Sequence, residues 1–111
     1  MSNIVVINIG KDYSRFPAGR YLEDGHSNGQ RFREQFLVPA LRESSKIRIL
    51  FDDALGYGSS FLEEAFGGLV RSKLFNKKDL EERLEIVTAD ESMKIEISQY
   101  IADAQANLNK G

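Results

Sequence analysis

The chain has 111 residues, is 41% apolar and carries a formal net charge of −2; it is long enough for one hydrophobic core and too short for two ordinary domains, so residues 1–111 are read as one domain. The absence of cysteine excludes disulfides, thiolate metal sites and thiol nucleophiles, and a single histidine excludes most zinc and Ser-His arrangements. The near balance of charge offers no basic face for nucleic acid.

Ile4-Val5-Val6-Ile7-Asn8-Ile9 is rich in β-branched residues and ends at Gly10, the pattern of a buried strand closed by a turn. Lys11 to Gly29 is punctuated by Pro17, Gly19, Gly25 and Gly29, and Gly19-Arg20-Tyr21-Leu22 reads as a short edge strand or hairpin arm. Phe32, Phe36, Leu37, Ala40 and Leu41 then recur at helical spacing behind Ser27-Asn28-Gly29-Gln30, which reads as a capping box. Pro39 is expected to bend this helix or shorten its last turn. Ile47-Arg48-Ile49-Leu50-Phe51 reads as a central strand, with Asp52-Asp53 at its carboxyl end. Phe61, Leu62, Ala65, Phe66, Leu69, Val70 and Leu74 form a wide apolar stripe just after Ser59-Ser60 and predict a second helix. Leu84 to Thr88 is a further strand, and Met93, Ile97, Tyr100, Ile101, Ala104 and Leu108 mark a final amphipathic helix.

This order predicts an α/β domain: a mixed, partly parallel four-stranded sheet packed with three helices, its crossovers right-handed. Function in such sheets collects where loops leave the carboxyl ends of strands, here Asp52 to Ser60. Met1 to Gly10 lacks the basic and cleavable apolar segments of a leader, and no apolar run is long enough to span a bilayer. A cytoplasmic protein with no membrane partner is therefore expected, in keeping with the missing cysteines.

Gly56-Tyr57-Gly58-Ser59-Ser60-Phe61-Leu62-Glu63-Glu64-Ala65-Phe66-Gly67, with the upstream Gly19-Arg20-Tyr21-Leu22-Glu23-Asp24-Gly25 and Asn28-Gly29-Gln30-Arg31-Phe32-Arg33, resembles the STAS-like family of unknown function. The three stretches agree in order and spacing and span most of residues 17–70. The order of strands and helices is also similar to that of true STAS domains, the anti-sigma-factor antagonists. In those, an Asp-Ser-Ser-Gly-Leu stretch opens the helix after a central strand, and a partner kinase phosphorylates the second serine. The resemblance places Ser59 and Ser60 on the two serines and Leu62 on the leucine, with Gly58 in place of the acid and Phe61 in place of the glycine. It implies a STAS-like fold, with Ser60 as phosphoacceptor and Ser59 beside it. It also implies a protein partner, a histidine-kinase-type ATPase or an anti-sigma-like protein, that meets Gly56, Tyr57, Gly58, Phe61, Glu63 and Glu64.

Each of these residues also has a purely structural reading. Ser60 followed by Glu63 fits a capping box, in which the hydroxyl would close the helix start. Gly56-x-Gly58 lacks the lysine of a nucleotide P-loop and the third glycine of a dinucleotide fingerprint, so positive φ at the strand-helix turn is its expected job. Asp52 and Asp53 point to opposite faces of an extended strand and read as turn caps. Arg20 and Arg33 would clamp a phosphate or carboxylate if they converge, and would otherwise pair with Asp24 or Glu34. His26 has no second ligand and reads as an exposed loop residue. Gly67-Gly68 costs helix stability, about 1 kcal/mol per glycine, and demands close packing in return.

The sequence thus points to a non-enzymatic protein-binding regulatory module without metal or cofactor. The competing reading is a ligand-binding protein or small enzyme that uses Asp53 with Arg20 and Arg33 near the Gly56–Ser60 loop. A third is a homo-oligomer held by exposed Tyr57 or Tyr100.

Overall fold

Three strands pair in parallel in the order β1 (Ile4–Asn8), β2 (Lys46–Leu50), β3 (Leu84–Val87), in a computed structural model that describes residues 3–110. Parallel neighbours need long crossovers, and helices supply both. Residues 29–43 form α1 between β1 and β2; residues 59–71 (α2) and Lys77–Arg83 (α3) lie between β2 and β3; Glu91–Lys110 (α4) follows β3. Ile7, Ile47 and Ile49 of the sheet, Phe32 and Leu37 of α1, Phe61, Phe66 and Leu69 of α2, Leu80 of α3 and Ile97 and Ile101 of α4 form one buried core.

The sheet has three strands where four were expected, and it is wholly parallel rather than mixed. The segment assigned to the fourth strand has another use for its backbone. The carbonyls of Gly19 and Arg20 accept from the amides of Gly29 and Gln30 at 2.9 and 2.8 Å, and Leu22–Asp24 turns into a single 3-10 turn. The Asn28 side chain accepts from the Arg31 amide at 2.7 Å, so the first amides of α1 are all met by protein acceptors. The cap of α1 is therefore Asn28 plus a returning loop, in place of the expected capping box.

Pro39 neither ends nor shortens α1. A π-helical turn, Arg33–Leu37, precedes it and makes room where the proline ring would meet the preceding turn, and the helix runs on to Glu43. A second π-helical turn, Glu63–Gly67, lies in α2, and Lys73, two residues past the end of α2, closes it in the left-handed conformation with φ 66°. Leu74 falls outside the helix and is exposed. The fourth helix, α3, was not expected: its sequence is polar but for Leu80, and Asn76 caps it by accepting from the Asp79 amide.

Asp52 and Asp53 tie the end of the central strand to opposite neighbours. Asp52 accepts from the Thr88 hydroxyl at 2.6 Å and the Ala89 amide at 2.8 Å, just past β3. Asp53 accepts from the Asn8 side chain at 2.6 Å, at the end of β1, with Lys11 at 3.8 Å. Both lie in the turn after β2 and not on an extended strand, so they part sideways, toward β3 and toward β1, where each carboxylate joins strand ends.

Candidate functional site

The loop from Asp52 to Gly58 is anchored from inside by Tyr57, whose hydroxyl donates to the Phe51 carbonyl at 2.6 Å and whose ring packs on Phe51 and Phe61. Burial, with Asp52 and Asp53 nearby, pushes the Tyr57 phenol far above its ordinary range, so it remains a donor. The Leu55 amide donates to the Arg15 carbonyl at 2.8 Å and the Gly58 amide to the Pro17 carbonyl at 3.4 Å, which lays this loop against the one that follows β1. Two large apolar residues are thereby brought onto neighbouring loops and left in water: Phe16, 67% exposed, and Leu55, 65% exposed. Neither stood out in the sequence, because each is a single apolar residue among turn residues; only the pairing of the loops brings them together.

Gly56 and Gly58 do not have the positive φ expected of them; Gly19 and Gly25 do, and a side chain at Gly56 would meet nothing within 4 Å. The residue that caps α2 is Gly58, in extended conformation, with no side-chain cap. Ser59 and Ser60 are the first two residues of the helix itself, and both are exposed. The capping-box reading of Ser60 therefore fails by register: Ser60 lies two residues beyond the cap. The amides of Ser59, Ser60 and Phe61 find no acceptor among the described residues, in contrast to the start of α1.

Glu63 belongs to a different arrangement. It takes the guanidinium of Arg20 and that of Arg71, while Glu64 takes Arg33 at 2.7 Å and Arg71 at 3.1 Å, with Arg20 3.9 Å away. Arg20 and Arg33 do converge, but on the chain's own carboxylates; their expected partner Asp24 instead accepts from the backbone of Arg20, and Glu34 is 4.0 Å from Arg33. This network also answers the Gly67-Gly68 demand. A Cβ on Gly68 would fall onto the Arg33 guanidinium, and one on Gly67 would meet Glu63 at 2.7 Å.

Of the residues expected to meet a partner, Phe61 is fully buried in the core and Glu64 is buried in the arginine network, so neither is surface. Tyr57 and Glu63 are half-buried and engaged internally, while Gly56, Ser59 and Ser60 are exposed. Asp53 has Asn8 and Lys11 as partners and shares none with Arg20 or Arg33, so the three do not form one site. His26 is exposed and lies against Arg31. Tyr100 is half-buried and donates to Glu96 at 2.5 Å. No group of three metal-binding side chains occurs among the described residues, and none of their helices is long and apolar enough to cross a membrane.

The family model described as a STAS-like domain of unknown function (DUF4325) matches residues 28–94, from the Asn28 cap to the first turn of α4. The chain belongs to this STAS-like family. Comparison with curated proteins and with solved structures gives no significant match. The matched part of this STAS-like domain holds α1, β2, the Asp52–Gly58 loop, both serines and the Glu63-Glu64 pair; Phe16 and Arg20 come from outside it.

Proposed function

We propose that this STAS-like domain is a non-enzymatic, cytoplasmic regulatory module that binds another protein at the start of α2, with Ser60 as a phosphoacceptor that releases or admits the partner. The observation that carries this reading is the pair of exposed serines with no capping task. They stand at a helix start whose first three amides find no acceptor among the described residues, beside the exposed Phe16 and Leu55. Apolar side chains in water supply docking energy, and free amides with the helix dipole stabilise added negative charge. A phosphate brings about −1.5 to −2 charges, enough to expel an apolar or acidic partner surface from that spot.

The partner that suits this arrangement is a kinase of the histidine-kinase ATPase type or an anti-sigma-like protein, as the likeness to anti-sigma-factor antagonists suggests. The enzyme reading draws no support from Asp53, Arg20 and Arg33, whose charges are met by different groups.

The test is an intact-mass and peptide map of the protein isolated from its own cells, together with recovery of bound proteins. Phosphate on Ser60 and a co-purifying kinase whose binding is lost in Leu55→Asp and Phe16→Asp are expected. An unmodified chain with a partner indifferent to both substitutions overturns the reading.

A further inference from the structure

β3 stands at an edge of the sheet, and its outward backbone is unpaired. The Phe51 amide donates to the Val87 carbonyl at 3.1 Å, so Val87 and Glu85 turn their backbone groups toward β2. By the alternation of a strand, Leu84, Ile86 and Thr88 turn theirs outward. The Leu84 amide is taken by the Leu80 carbonyl, which closes α3. The Leu84 carbonyl, both groups of Ile86 and the Thr88 amide find no backbone partner among the described residues. An edge of this kind is a template for another strand, and neither proline nor bulge blunts it.

Beside the edge lies an apolar groove of about 150 Å³, lined by Leu84 and Ile86, by Leu80 of α3 and by Ile97, Ser98 and Ile101 of α4. Ser98 marks the flank of α4 turned toward this edge. Ile95 and Ala102, three residues before it and four after, continue that flank. Ile95 is 69% exposed, the largest value among the exposed large apolar side chains of the described residues. A lone added strand would cover the groove and leave Ile95 in water, because α4 lies a layer away from the sheet. The occupant must bring a strand and a helix together, and a second copy of this chain has both in the required relation.

One two-fold axis serves both layers. With Ile86 opposite Ile86 of an antiparallel copy, each Ile86 amide donates to the other's carbonyl and each Thr88 amide to the other's Leu84 carbonyl. Glu85 then faces Val87. A register one step toward Leu84 would set Glu85 against Glu85 and lose the Thr88 bonds. Ile86 and Ser98 line the same groove, so the axis that pairs Ile86 with its copy also brings Ser98 near Ser98, and Ile95 against Ala102. The small Ser98 and Ala102 let the two helices approach.

We propose that the β3 edge and the adjoining flank of α4 form a homodimer interface, joining two three-stranded sheets into one of six strands. The proposal is independent of the regulatory reading. A helix about 30 Å long beside a four-residue edge buries on the order of 1,000 Å² in total, the lower end of a specific interface, so the Kd is roughly 1–100 µM.

Sedimentation velocity between about 1 and 500 µM reads the dimer directly. Ile95→Glu, at a position open to water in the single chain, is expected to weaken self-association at least about tenfold with an unchanged circular dichroism spectrum. The chain has no cysteine, so Ser98→Cys puts a single thiol beside the axis and is expected to give a disulfide-linked dimer under mild oxidation. Ser60→Cys, at the start of α2, is expected to stay unlinked. A chain that is monomeric to about 500 µM overturns the proposal and leaves the edge to a foreign strand. So does a dimer that Ile95→Glu does not weaken, or one that cross-links in Ser60→Cys and not in Ser98→Cys.

Discussion

Arg33 crosses from α1 to α2 and donates to both the Glu64 carboxylate, at 2.7 Å, and the Glu64 backbone carbonyl, at 2.5 Å, with its guanidinium lying where a side chain on Gly68 would stand. Both partners are largely buried, so neither charge can fall back on water. Removing Glu64 strands Arg33, whose other acid, Glu34, is 4.0 Å away: Glu64→Ala is expected to cost about 3–5 kcal/mol in urea unfolding, and Arg33→Ala less, because Arg71 at 3.1 Å still meets Glu64.

Gly68→Ala supplies the complementary test. Alanine is the better helix former by about 1 kcal/mol, yet here it must displace a guanidinium held by Glu64, so a net loss of about 1–3 kcal/mol is expected. In an Arg33→Ala background the same change becomes neutral or stabilising. A double-mutant cycle measured by thermal melts reads this sign reversal.

How much of this was legible in the sequence depends on how local the cause is. β1, β2, β3 and the apolar stripes of α1, α2 and α4 announce themselves through periods of two and 3.6, because burial imposes them residue by residue. α3 is silent because one buried leucine makes no stripe; its Asn76 cap and the Lys77–Glu81 and Asp79–Arg83 pairs were the available signal. The Gly19–Leu22 segment failed as a strand because its carbonyls cap a helix ten residues later, a tertiary fact. Ser60 and Glu63 satisfied the capping pattern by spacing alone. What separates pattern from fact is that Glu63 is drawn off by Arg20 and Arg71, which local spacing does not reveal.

Caps that exist and caps that do not give a paired prediction. Asn28 is buried, receives the Arg31 amide and donates to the Gly25 carbonyl at 2.7 Å; Asn28→Ala is expected to lose about 2 kcal/mol. Ser59→Ala and Ser60→Ala sit inside the first turn with no such bond and should each change stability by less than about 0.5 kcal/mol. A loss of a full kilocalorie at Ser60 in denaturant titrations would return the residue to a structural role.

Acid reports on Glu63. Burial alone would raise its carboxyl, but hydrogen bonds and charge from Arg71 and Arg20 outweigh burial and hold it below the ordinary glutamate range. A carboxylate lowered on folding contributes stability that is complete above its unfolded value and is lost as pH falls through the folded one. The domain should therefore weaken progressively below about pH 4.5, the ordinary glutamate range, and Glu63→Gln should flatten that part of the curve while lowering stability at neutral pH. Urea midpoints across the acid range provide the measurement.

A sheet made only of parallel ladders also dictates the order of events when the chain folds. No strand here can zip onto its neighbour through a hairpin, so β1, once synthesised, waits with its amides unpaired until α1 and β2 have followed, and β2 waits again for β3. Loop closure must be completed before any ladder forms, which puts the domain among the slower small folders and leaves Ile4 to Ile7, an uncharged apolar run, the most vulnerable to mispairing in that interval.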